Sequence, residues 1–149
     1  MSNESSPKVE PYLFFDGRCE EALEFYRQAL DAEVDMLMRF KDSPQPPAPG
    51  GCAPGAENKV MHATFHVGGS SLMASDGHCA GKPSFAGFGL SLTAHTVAQA
   101  DRWFAALSDG GRVEMPLGQT FFSPRFGMVA DRFGVLWMVI VHPAEAPTK

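Results

Sequence analysis

Apolar positions along the chain fall into short, strand-like runs interrupted by two stretches of helical spacing. After Val9, Tyr12-Leu-Phe-Phe15 predicts a buried strand that stops at Asp16-Gly17. From Cys19 to Leu30 the apolar residues Ala22, Phe25, Tyr26, Ala29 and Leu30 recur on one face, the spacing of an amphipathic helix. Val34 to Phe40 reads as a strand, and the proline- and glycine-rich stretch from Asp42 to Asn58 as a long loop of the kind that serves as lid, binding loop or disordered segment. Val60 to Val67 and Ser70 to Ser75 predict a hairpin across Gly68-Gly69, a dipeptide that tolerates the positive φ of a tight turn, followed by a loop over 75–83. Phe88 to Thr93 predicts the next strand. Thr96-x-x-Gln99 then offers a capping box for a helix at about 97–108, with Val97, Ala100, Trp103, Phe104 and Leu107 as its apolar positions. Gly110-Gly111 ends that helix, Arg112 to Met115 reads as a short strand, and the closing strands lie near Phe126–Ala130 and Val135–Val141, joined by an Asp131-x-x-Gly134 turn.

The predicted order is β-α-β-β-β, written twice. Glu21-Ala22 and Phe25-Tyr26 in the first helix are answered by Gln99-Ala100 and Trp103-Phe104 in the second, with each aromatic pair placed to cover a sheet. The expectation is an α+β chain, a single domain over 1–149 built from modules at 9–76 and 86–142.

Composition narrows the function classes. A formal charge of -5 without a Lys or Arg run disfavours a nucleic-acid surface or an anionic membrane, and no apolar run approaches the roughly 20 residues of a membrane helix. Cys19, Cys52 and Cys79 form no C-x-x-C pair and are odd in number, which suits a reducing compartment. The first residues, Met-Ser-Asn-Glu-Ser-Ser-Pro, lack the basic start and apolar core of a signal peptide, so a cytoplasmic location is expected.

Pro11-Tyr-Leu-Phe-Phe-Asp-Gly17, Ala22-Leu-Glu-Phe-Tyr26, His62-Ala-Thr-Phe65, Leu72-Met-Ala-Ser-Asp76 and the run from Arg125-Phe-Gly to Trp137 occur in an order and at separations that resemble the PhnB-like family. That family belongs to the vicinal oxygen chelate superfamily, which includes glyoxalase I, extradiol dioxygenases and bleomycin-resistance proteins. The resemblance spans about Pro11 to Val141. It implies paired βαβββ modules whose curved mixed sheets form a cup, commonly completed by a homodimer. Such proteins have carried a ubiquinone-pathway methyltransferase label, yet none of the glycine pairs at 50, 68 or 110 forms a Gly-rich strand-to-helix turn suited to a nucleotide-like cofactor.

The resemblance also implies where a metal would sit in glyoxalase-type relatives, on His, Glu or Gln side chains of the first and last strands of each module. Aligned on helix one, Pro11 takes the place of the first histidine; aligned on Asp131-Arg-Phe-Gly134, Met138 takes that of the last glutamate. A catalytic metal needs three or four ligands, and these positions offer essentially none. His62 and His66 share a strand face but lie about 13 Å apart along it, too far to share one ion. His62 reads either as a hydrogen-bonded wall residue or as a ligand-binding group, and Asp76-Gly-His-Cys79 either as a turn or as a loop cluster with metal-capable side chains. Gln119, Phe122 and Arg125 stand where relatives show Glu, Trp and a polar residue; Gln119 hydrogen-bonds but cannot serve as a general base. Phe121, Phe122, Trp137 and Met138 read as core or as pocket lining. Cys19 begins a helix, a setting that can lower a thiol pKa, but no His lies nearby in sequence.

The expected ligand-binding residues are thus His62, Asp76, Gln119, Phe122, Arg125 and Trp137, with no metal ligand and no cofactor. The sequence points to a dimeric protein that holds a small organic molecule in an apolar cup without glyoxalase-type metal. The alternative is a metal-dependent lyase or oxygenase using a divalent ion at a rebuilt site with His62 and Asp76. Catalysis itself is left open.

Overall fold

The computed structural model describes residues 6–43, 56–77 and 82–142, which divide between Lys82 and Pro83 into two compact units. The first contains β1 (Tyr12–Phe14), α1 (Cys19–Leu30), β2 (Glu33–Arg39), β3 (Val60–Val67) and β4 (Ser70–Ser75). The second contains β5 (Leu90–Ala94), α2 (Val97–Ser108), β6 (Arg112–Gly118), β7 (Phe126–Ala130) and β8 (Leu136–Val141). Each forms a four-stranded mixed sheet of the same topology, in the orders β1-β4-β3-β2 and β5-β8-β7-β6. In both, the first strand runs parallel to the last and the other neighbours are antiparallel.

Both helices lie where their periodicity predicts. In the first unit Ala22, Leu23, Tyr26 and Leu30 of α1 are buried, and Tyr26 stacks on Phe65 with ring centroids 6.1 Å apart and lies 6.2 Å from Phe15. This is the core, with Leu13, Ala63, Val67, Leu72 and Ala74 completing it. In the second, Ala100, Trp103, Phe104 and Leu107 cover Leu92, Val129, Trp137, Val139 and Val141. Gly127 is required at that contact, because a Cβ there would stand 2.8 Å from the Phe104 ring and 2.9 Å from the Leu117 backbone.

One helix covers one face, so strand residues alternate between buried and accessible. That corrects the reading of Tyr12 to Phe15 as uniformly buried: Leu13 and Phe15 are buried, whereas Phe14 is 53% exposed. β5 begins at Leu90 rather than Phe88, and β6 runs on to Gly118 with register shifts after Val113 and Met115. Its Pro116 is accommodated because β6 is an edge strand, where a missing N–H does not break a central ladder. Residues 44–55 of the long predicted loop lie outside the described residues; before them, Phe40–Asp42 make a single 3-10 turn.

The two helix starts are built differently. At α2, Thr96 Oγ1 accepts from Gln99 N–H at 3.0 Å, while the Gln99 side chain accepts from His95 N–H at 2.9 Å, one residue earlier than a standard capping box. At α1 the residue before the helix, Arg18, supplies no side-chain cap. Asp76, from beyond β4, does so instead: its Oδ1 accepts from Gly17 N–H and Cys19 N–H, both at 2.8 Å, and its Oδ2 from Val60 N–H at 2.6 Å. The helix start does not lower the pKa of Cys19. Burial pushes the Cys19 thiol up, and the adjacent Asp76 and Glu20 charges push it further, which favours the protonated form at neutral pH.

Two outcomes follow for the folded protein. Asp76→Ala removes the acceptor of three buried or part-buried N–H groups, so urea denaturation should show a loss on the order of 3 kcal/mol; a loss below about 1 kcal/mol would mean that water replaces the carboxylate. Iodoacetamide should leave Cys19 unmodified in the native state and label it fully in urea, as read by peptide mass mapping; rapid native labelling would contradict the buried, protonated thiol.

Candidate ligand-binding faces

The face of each sheet turned away from its own helix carries the accessible apolar side chains. In the first unit the register brings Tyr12, Met73, Thr64 and Met36 into one cross-strand row, with Met38 beside His62 in the next. Met36 is 41% exposed, and Phe14 stacks on Tyr12 with ring centroids 4.8 Å apart. In the second unit the matching row is Ser91, Met138, Met128 and Met115, and the next holds Thr93, Ile140 and Phe126. Met115 is 43% exposed. Phe122 meets Phe126 edge-on at 5.0 Å and Phe121 at the same distance, extending that apolar surface beyond the sheet. Six of the chain's eight methionines lie on these two faces.

The polar groups of the first face sort themselves by partner. Tyr12 Oη and His62 Nδ1 are 2.8 Å apart, with the rings tilted at a centroid distance of 5.5 Å. His66, on the same strand face, is bound instead to the edge: its Nδ1 lies 2.9 Å from Asp35 and its Nε2 3.6 Å from Glu33. The Asp35 hydrogen bond, helped by the charges of Asp35 and Glu33, raises its pKa above the ordinary value near 6.5.

The sequence-predicted residues separate accordingly. His62 lies on the open face of the first sheet, and Phe122 joins that of the second through Phe126. Gln119 is exposed just after β6. Asp76 is 1% exposed, with both oxygens engaged by backbone N–H groups, so its carboxylate anchors the fold. Trp137 likewise points to the helix side and donates its indole N–H to Asp131 at 2.9 Å. Its neighbour Met138 takes the opposite face, as strand alternation requires, so the two cannot line one surface. Arg125 pairs with Asp101 of α2 at 3.1 Å. Pro11, aligned with the first histidine of glyoxalase-type relatives, accepts from Met73 N–H through its carbonyl, and the next residue, Tyr12, stands on the open face.

These placements bear on metal chemistry. Among the described residues no three His, Cys, Asp or Glu side chains converge. Of the rebuilt pair, Asp76 has both oxygens engaged by backbone N–H groups, and His62 meets Tyr12 through Nδ1. His78 and Cys79 lie outside the described residues. Tyr12 is one of the open-face residues that sequence reasoning missed, with Phe14 and the methionines Met36, Met73, Met115 and Met128. The signal was available in the strict alternation of Tyr12, Leu13, Phe14 and Phe15, once Leu13 and Phe15 are assigned to the core.

The His66 ion pair has a testable sign. A raised folded-state pKa means that the pair stabilises the fold at pH below the unfolded value, and that this contribution disappears as pH rises through the folded value. An NMR titration should place the His66 midpoint above 6.5, and Asp35→Asn should lower it; an unchanged midpoint in that variant would remove Asp35 as the cause.

Among the described residues no helix is long and apolar enough to cross a membrane. A family model described as the Glyoxalase/Bleomycin resistance protein/Dioxygenase superfamily matches residues 8–139. The chain is 36% identical over 146 residues to protein YjdN of Escherichia coli K12, covering 95% of this chain and 99% of that one. The crystal structure of protein PA1353 from Pseudomonas aeruginosa is 42% identical with a TM-score of 0.80, covering 93% of this chain and all of that one (100%). A Bacillus cereus structure named as a putative 3-demethylubiquinone-9 3-methyltransferase, PhnB protein, is 31% identical with a TM-score of 0.75, covering 91% of this chain and 99% of that one. Two repeated βαβββ sheets and these matches together make the chain a member of the glyoxalase/bleomycin resistance/dioxygenase superfamily, with PhnB-like relatives.

Proposed function

We propose that this protein binds a small, largely apolar organic molecule on the open faces of its sheets, without the metal ligation of a glyoxalase, as a cytoplasmic homodimer. The observation that carries this reading is the pair of cross-strand methionine rows, Met36 with Met73 and Met115 with Met128 and Met138, edged by Tyr12, Phe14, Phe122 and Phe126. Accessible apolar side chains grouped in this way mark binding surfaces more than solvent-facing ones. Methionine suits such a surface, because its flexible, polarisable thioether adapts to a ligand's shape and contacts aromatic rings favourably. Gln119, exposed after β6 beside the Phe121–Phe122 segment, is proposed to supply a hydrogen bond there. The dimer is supported by the edge strands that each sheet leaves at β2 and β6.

Equilibrium dialysis with 2-acetylnaphthalene as the probe tests the reading. Binding to a face should weaken about tenfold or more when a charge is placed on that face, Met36→Glu on the first sheet and Met115→Glu on the second, since a carboxylate opposes burial against an apolar ligand. Both positions are substantially exposed, so the variants should fold, and circular dichroism checks that. Affinity unchanged by both substitutions would place the ligand elsewhere. Elemental analysis of untagged protein should show well under one equivalent of transition metal per chain; zinc or nickel near one equivalent, lost in His62→Ala, would instead establish the metal-dependent alternative.

A further inference from the structure

Within the apolar open face of the first unit, one polar pair has a fixed orientation, and its chemistry selects ligands. Tyr12 and His62 come from β1 and β3, two strands that are not neighbours but flank β4, and their hydrogen bond passes over that strand. The direction of the bond follows from the two groups. A phenol O–H is a stronger donor than an imidazole N–H, and an imidazole nitrogen is a stronger acceptor than a phenol oxygen, so Tyr12 donates and Nδ1 accepts. In the neutral imidazole the ring proton then resides on Nε2, because the hydrogen bond at one nitrogen sets the tautomer at the other. His66 is held by Asp35 and Glu33, which leaves His62 Nε2 as the imidazole nitrogen of this face without a partner among the described residues. Met38 lies beside it in register, and Phe14 stacks against Tyr12.

We infer that the Tyr12–His62 pair is the specificity-determining element of this face: Tyr12 fixes His62 in the Nε2–H tautomer, and that N–H reads a hydrogen-bond acceptor oxygen, such as a carbonyl, on an otherwise apolar ligand. This rests on the binding role proposed for the open faces and adds the ligand class. A donor set in an apolar surface discriminates strongly, because a ligand lacking the acceptor strips water from the N–H without replacing its hydrogen bond. Tyr12 acts here as a positioning residue, while His62 touches the ligand.

Two measurements test it. Long-range nitrogen–proton NMR on the protein alone should show His62 with Nδ1 unprotonated and Nε2 protonated, and Tyr12→Phe should give a mixture of tautomers; a proton on Nδ1 in the unsubstituted protein would overturn the assignment. The second measurement compares 2-acetylnaphthalene with 2-isopropenylnaphthalene, which has nearly the same shape but a CH2 group in place of the carbonyl oxygen. The ketone should bind about tenfold more tightly, and His62→Phe should equalise the two while both still bind. Equal binding to the unsubstituted protein would overturn this inference and leave the apolar binding face standing. If neither probe binds, the reading of the open faces fails, and the ligand class inferred from it fails too.

Discussion

The carboxylate of Asp76 is the contact on which the first module depends. Two segments distant in sequence, the turn into α1 at Gly17 and Cys19 and the start of β3 at Val60, direct three backbone N–H groups to one side chain at the end of β4. Without it the first turn of α1 would have no side-chain acceptor, since Arg18 provides none. Strand β1 is only three residues long and pairs with β4 alone, so its position relies on this junction as much as on its ladder. Holding β1 in register places Tyr12 opposite Met73 and within reach of His62. A residue that sequence reasoning offers as a ligand therefore acts one step back, by holding the face on which a ligand is proposed to rest.

The second module meets the same demands with different chemistry. Thr96 and Gln99 cap its helix locally. A buried carboxylate appears here too, but Asp131 closes the turn between β7 and β8: its Oδ1 accepts from Phe133 and Val135 N–H, and its Oδ2 takes the Trp137 indole. Gly134, at φ 95, completes that turn. The Asp-x-x-Gly signature of the sequence is thus a folding device, and Trp137 is part of it. Two modules with one topology differ in which loop is held by a carboxylate, and in what their open faces carry: a Tyr–His pair in the first, aromatic rings and three aligned methionines in the second.

Methionine gives the open faces their character. Met138 stands where glyoxalase-type relatives are expected to have a carboxylate, and Gly89, next to it, has no side chain; a Cβ there would lie 3.3 Å from the Met138 sulfur. The row of Met138, Met128 and Met115 is soft, apolar and adaptable, with Ser91 at its end.

The sequence by itself determined the two helices, the hairpins at Gly68-Gly69 and Asp131–Gly134, the repeated order of elements and the superfamily. Each of these is encoded locally, by a period of 3.6 or 2 and by turn residues whose allowed dihedrals are few. Only the tertiary structure decided which polar residues serve the fold and which face outward. Asp76, Trp137 and His62 all sit in strands or at strand ends and look equally eligible in the sequence. Their roles diverge because chain pairing sends Asp76 to three backbone donors and His62 to Tyr12 on the open face, 50 positions away, while Trp137 turns to Asp131, six positions back across the hairpin, on the helix side. A shift of one residue in either strand would exchange those faces, and no local pattern records the partner that prevents it.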